Sequence, residues 1–384
     1  MLRKKPKPLS FGQTVRLVKK GVLSRAESPT FKPRQKVKLT DRRQSEHWTL
    51  SEIDKGATHG LSVSSIEKWL DNKEEFRLMK VEGLEGRTGS VALDFGDWWH
   101  WLLGRHYSNR HQRASNPRLD MENGAKVYRS QFQRDNPNAI DKRVEGLELG
   151  FLKTAALWPT YVAKYAAEDK AKKWVGIEAD WAFKYSLPPI KHEWPAGSKK
   201  QIELFPGCTV DLHGIFDGVY RKEGRLWLFE TKTKSRIDEA ELDDTLNLDI
   251  QVMLYLYAIY RVYKEWPAGV TYNVIRNPQT EPSKKTGENA KTFVDRLTKE
   301  VEKDEDHYFK RWEMGVEQAD IERFMDKVLD PILRDIQGWA YGHHPHYVHT
   351  KALIGKYGRS DMYDVITRGD LTGVEQRQLV RKER

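Results

Sequence analysis

A chain of 384 residues suggests two or three domain-sized units, at about 150 residues each, or one elaborated α/β domain. With 38% hydrophobic and 32% charged residues it reads as a globular protein with a heavily solvated surface. No run of 18 apolar residues offers a membrane span, and no apolar stretch follows the charged start as in a secretory signal. The single cysteine, Cys208, excludes an internal disulfide and any all-cysteine zinc or iron–sulfur site within one chain, which fits a reducing cytoplasm.

The net charge of +10 is unevenly spread: residues 1–46 hold 14 Lys/Arg against 3 Asp/Glu, and the remainder is close to neutral. This proline-containing segment reads as a disordered basic arm able to contact phosphates by counterion release. A solubilising or targeting role, including organelle targeting, is the alternative.

Ordered structure is expected from about Leu61, with Ser64 or Ser65 capping a helix that carries Ile66, Trp69 and Leu70. A second helix is expected from Val91 to Tyr107, with Leu93, Phe95, Trp98, Trp99, Leu102 and Leu103 on its apolar face and His100 on its length. Ser108 to Asp141 reads as irregular or a surface insertion, and Lys153 to Lys173 as helix. Alternating stretches at 174–183, 209–220 and 225–232 predict three strands, the last two forming a hairpin through Lys222-Glu223-Gly224. A polar loop, a helix from about Asp249 to Tyr263, a strand at 271–275 and a basic loop around Lys284 and Lys285 follow. Last comes an amphipathic helix from Ala319 to Trp339. This order predicts an α/β fold with a small mixed central β-sheet flanked by helices.

Chemistry is concentrated on the hairpin. Glu230 and Lys232 share one face of their strand, and the turn brings Asp217, at the end of the preceding strand, beside them. Two carboxylates and a backbone carbonyl such as that of Thr231 suit a hard divalent cation. A lysine one pleat away can orient or deprotonate water and stabilise charge on an attacked phosphate. Taken alone, the same spacing also fits a solvent-face charge pair on an ordinary hairpin.

Gly214-Ile-Phe-Asp217, Glu230-Thr-Lys232 and Gln251-Val-Met-Leu-Tyr255 resemble the Gly-x-x-Asp, (Asp/Glu)-x-Lys and Gln-x-x-x-Tyr series of PD-(D/E)XK nucleases, RecB-like branch. Gly96-Asp-Trp-Trp-His100 and the entry at Leu61-Ser-Val-Ser-Ser-Ile are similar to two further elements of that branch. The resemblance implies a restriction-endonuclease-like core over residues 47–345, with 346–384 as a C-terminal extension. It assigns Asp217, Glu230 and the Thr231 carbonyl to the metal, with His100 completing the site and Lys232 serving the attacking water. Gln251, Tyr255, Lys234 and Arg276 would contact nucleic acid, and Glu178 is a candidate additional acid, with Asp180 of the same parity beside it.

The cofactor implied is Mg²⁺, with Mn²⁺ as substitute. An iron–sulfur cluster is excluded, because the segments corresponding to its cysteines in relatives contain none. Tyr357, Met362 and Tyr363 would instead hold the C-terminal segment by packing. His343, His344, His346 and His349 match no defensible zinc spacing.

No Walker A motif occurs. The resemblance therefore implies a stand-alone, phage-type exonuclease of DNA recombination, repair or phage DNA processing, in the cytoplasm of a bacterial or phage-infected cell. DNA is the expected partner, with a recombination or replication protein as a further one; oligomeric state is left open. The alternatives are a non-catalytic DNA-binding or recruitment protein on the same fold and a structure-specific endonuclease.

Overall fold

The computed structural model describes residues between 60 and 376, apart from 82–83, 87–90, 109–116, 137–138, 194–196, 198, 200, 206, 238–248, 341–348, 350–352, 356–357 and 371–373. The basic arm, His343, His344, His346 and Tyr357 lie outside the described residues. Contacts divide the chain into two units: one comprises 89–181 and 215–324, the other 1–88, 182–214 and 325–384.

The first unit carries helices α1 (Val91–Ser108), α2 (Pro117–Asp135) and α3 (Asp141–Ala171). Strands β1 (Lys173–Leu187) and β2 (Cys208–Lys222) have residues in both units, and β3 (Arg225–Lys234) lies wholly in the first. Then come α4 (Ile250–Tyr263), β4 (Gly269–Arg276), α5 (Ala290–Lys303) and β5 (Phe309–Gly315). The five strands form one sheet in the order β1-β2-β3-β4-β5. β3 runs antiparallel to β2 and parallel to β4, and β5 closes antiparallel on β4. A parallel neighbour requires a crossover, and α4 supplies it. The mixed α/β fold expected from the sequence is therefore the one observed.

The β2–β3 hairpin pairs Lys222 with Arg225 across a two-residue turn. Glu223 and Gly224 have φ of +52° and +82°, as a type I′ turn requires. One core joins Trp98, Trp99 and Leu102 of α1, Leu157, Trp158 and Tyr161 of α3, Phe293 and Leu297 of α5, and Tyr220, Phe229, Ile275 and Phe309 of the sheet. Val252, Leu254 and Ile259 of α4 are buried on different sides of the helix, and α4 packs on β3 and β4.

Several expectations are corrected here. Leu93 is 67% exposed and lies off the apolar face of α1. The stretch read as irregular contains α2, whose Met121, Ala125, Tyr128 and Phe132 form a buried stripe at helical spacing. The helix expected at Lys153 already begins at Asp141. Helix α5 and strand β5 carried no expectation, although the capping box of Asn289 and Thr292 opens the helix and Phe293, Val294, Leu297 and Val301 form its buried stripe.

In the second unit, Ser62, rather than Ser64 or Ser65, caps helix Val63–Asp71 by accepting the Ser65 N–H at 3.2 Å. Trp69 and Trp339 each meet Phe76 edge to face and are tilted against one another, and Trp69 donates to Asp335 at 2.8 Å. Strands Ile190–Glu193 and Gln201–Phe205 form a separate antiparallel pair. Met362 is fully buried against Leu78, Leu84 and Val374, the packing role expected of it. Helical residues cover 318–340, with a π turn at Met325–Leu329 where an uninterrupted α-helix was expected. Among the described residues, no helix is long and apolar enough to cross a membrane.

Candidate active site

The antiparallel register sets Gly218 opposite Phe229, which brings Asp217 up to Glu230. Asp217 lies inside its strand, not at its end as expected. Its Oδ2 accepts the Thr231 N–H at 2.7 Å, and its Oδ1 lies 3.0 Å from Nδ1 of His100 on α1. One ligand atom each from His100, Glu178 and Asp217 lie within 4.8 Å of one another. Glu178, rather than Asp180, joins this group.

Glu178 reaches the group through an irregularity in β1. Trp174 packs on the core shared with α1 and α3, whereas Trp181 is buried against Phe216 and Tyr255. The alternation of burial shifts at Gly176–Ile177, and Glu178 itself sits at φ +46°, in the left-handed region. That conformation costs a non-glycine residue roughly 1–2 kcal/mol, and such strain clusters at functional sites. Gly104, buried on α1, makes the space: a Cβ there would lie 2.5 Å from Glu178 Cγ.

Glu230 is wholly buried. Lys232 Nζ lies 2.8 Å from its Oε1 as an ion pair, but neither carboxylate oxygen accepts a hydrogen bond of good geometry. Lys232 also donates to Oε1 of Gln251 on α4. Tyr255, one turn further on, is buried edge-on against Trp181 and Phe216. Tyr272, register partner of Glu230 on β4, is buried beside the same charges and was not singled out from the sequence. Lys234 and Arg276 are register partners further along β3 and β4. Arg276 is engaged with the Ser235 carbonyl at 3.1 Å and with the His307 ring.

The electrostatics reflect acids crowded around few cations. Glu178 is exposed as a residue, but loss of water around its carboxyl and the neighbouring Asp217 push that group up to about 7, against the opposing pull of His100. Burial likewise raises Glu230, with Lys232 opposing it. Burial lowers His100, but the adjoining Asp217 more than reverses this and carries the imidazole up to about 9. Lys232 is raised despite its burial, because Glu230 stabilises its charge.

Residues 60–343 match the family model described as the PD-(D/E)XK nuclease superfamily. The chain belongs to the PD-(D/E)XK nuclease superfamily. PD-(D/E)XK nucleases use divalent metals, and these residues fit one: hard oxygen donors, an imidazole, and a buried carboxylate whose oxygens lack hydrogen bonds. Sixteen chains of known structure also match. Among them is one titled "Crystal structure of SSO0001", at 12% identity and a TM-score of 0.23, covering 63% of this chain and 85% of that one. No curated protein matches.

Proposed function

We propose that this chain is a Mg²⁺-dependent deoxyribonuclease of the RecB-like branch, acting from DNA ends as a phage-type exonuclease in recombination, repair or phage DNA processing. The observation that carries this reading is the convergence of Asp217, Glu178 and His100 on one point, with the Glu230–Lys232 pair on the adjoining strand. Asp217, Glu230 and the Thr231 carbonyl hold the cation, with His100 and Glu178 completing its surroundings. A bound divalent cation supplies Lewis-acid polarisation of a phosphoryl oxygen and lowers the pKa of water. Mn²⁺ substitutes for Mg²⁺ as another oxygen-seeking ion.

Lys232, kept protonated by Glu230, offsets negative charge as it builds on the phosphate, and Gln251 aims its ammonium. Tyr255 supports that turn of α4, while Lys234 and Arg276 track the backbone of the strand being cut. End-labelled linear duplex, linear single strands and closed circular DNA, each incubated with Mg²⁺, with Mn²⁺ or with chelator, test the proposal. Loss of the linear substrates with the circle spared is expected. Cutting of the circle would replace the exonuclease reading by an endonuclease, and no cutting with either metal would overturn the nuclease reading.

Two further outcomes are expected. Gly104→Ala removes a helix glycine, which by itself adds up to about 1 kcal/mol of stability. The new Cβ, however, evicts the Glu178 side chain. The melting temperature should hold or rise while Mn²⁺ affinity, followed by calorimetry, drops roughly tenfold or more. Affinity equal to wild type would remove Glu178 from the site. Deleting residues 1–46, which carry a net charge of +11, should flatten the salt dependence of DNA binding. An unchanged slope measured by anisotropy would mean the arm makes no phosphate contacts.

A further inference from the structure

Thr231 stands between the two charged residues of Glu230-Thr231-Lys232, and by strand alternation its side chain enters the face opposite theirs. There it is 1% exposed, and its Oγ1 accepts a hydrogen bond from Nδ2 of Asn273 at 3.2 Å. Asn273, fully buried on β4, is its register partner. The Asn273 amide has one orientation available, because its Oδ1 accepts from Arg311 Nε at 3.0 Å and from the Tyr161 hydroxyl at 3.3 Å. A guanidinium only donates, so the amide oxygen faces Arg311 and the NH₂ faces Thr231.

Arg311 is itself fixed. It pairs with Asp169 at 2.7 Å and Glu168 at 2.8 Å, donates to Tyr161 at 2.8 Å and to Tyr107 at 3.1 Å, and stacks 3.6 Å from the Tyr165 ring centre. A continuous polar path thus runs from Asp169 through Arg311 and Asn273 to Thr231, whose N–H holds the Asp217 carboxylate.

We propose that Thr231 and Asn273 are positioning residues for the metal centre: the Arg311-anchored amide of Asn273 fixes the Thr231 side chain, and with it the peptide that aims Asp217. This rests on the reading of Asp217 as a metal ligand. Ligand geometry must be held to within about 0.5 Å to be productive, and a hydrogen bond on each side of one residue supplies that constraint here. It explains why a wholly buried position inside a charged motif carries a hydroxyl instead of a valine of the same shape.

Thr231→Val preserves shape and deletes the hydroxyl. Calorimetric titration with Mn²⁺ in the absence of DNA is expected to show affinity reduced about 10–100-fold. In cleavage assays kcat should fall at a fixed metal concentration, while KM for DNA holds. Thr231→Ser, which restores the acceptor, should recover most of the loss. Thr231→Ala gives the same comparison if the valine variant does not fold.

Wild-type Mn²⁺ affinity in the valine or alanine variant, even with a lowered melting temperature, would overturn the proposal and leave Thr231 a packing residue. Failure of the wild-type protein itself to bind Mn²⁺ and to cut DNA would overturn the metal-centre reading together with this inference.

Discussion

Lys232→Ala is expected to lower DNA cleavage by about 10²–10⁴-fold at saturating Mg²⁺, the range seen when a positioned charge or proton donor is removed from a reacting centre. The variant deletes the ammonium that pairs with Glu230 and hydrogen-bonds Gln251. It leaves Glu230 wholly buried and without that cation. Because burial already raises the Glu230 carboxyl, the group can take up a proton instead of remaining charged, which limits the loss of stability. Melting curves recorded beside the cleavage assay separate the two effects. A folded variant cutting within fivefold of wild type would remove Lys232 from the chemistry.

The same residue shows what a single sequence makes legible. Spacing alone placed Glu230 and Lys232 on one face and Asp217 beside them, because hairpin geometry and strand alternation are local rules. The one-turn separation of Gln251 and Tyr255 followed in the same way from helix geometry. What spacing could not supply was which of several same-face partners Lys232 meets. Gln251 comes to it across the β3–β4 crossover, and Tyr272 arrives beside Glu230 through a parallel register. The resemblance supplied His100, which on residue pattern alone reads as an ordinary member of a tryptophan-rich helix.

Other features were present in the sequence but masked. The stripe Met121, Ala125, Tyr128 and Phe132 was diluted by the Arg, Asn and Gln around it, so a helix passed for a loop. The shift in alternation near Glu178 is masked as well, because 174–183 reads as one regular strand. The path from Asp169 to Thr231 has no signature of this kind. Its members are spread over three strands and a helix, and only the folded register brings them together.

That path also yields the largest expected effect on stability. Arg311→Met should destabilise the protein by roughly 3–5 kcal/mol, the penalty for breaking a buried ion pair by removing one member. Both Arg311 and Asp169 have side chains only 5% exposed, and Arg311 also satisfies Asn273 and the Tyr161 hydroxyl. After substitution Asp169 keeps Lys172 at 3.3 Å and the Tyr107 hydroxyl at 3.1 Å, which places the expectation towards the lower end of the range. Urea unfolding of the single variants and of Arg311→Met with Asp169→Asn tests whether the loss belongs to the pair. Removing both charges should cost less than the sum of the single losses, since neither ion is then buried without its partner. Strict additivity would mean that each residue stabilises the fold through its other contacts. The anchoring of Asn273 would then owe nothing to the salt bridge behind it.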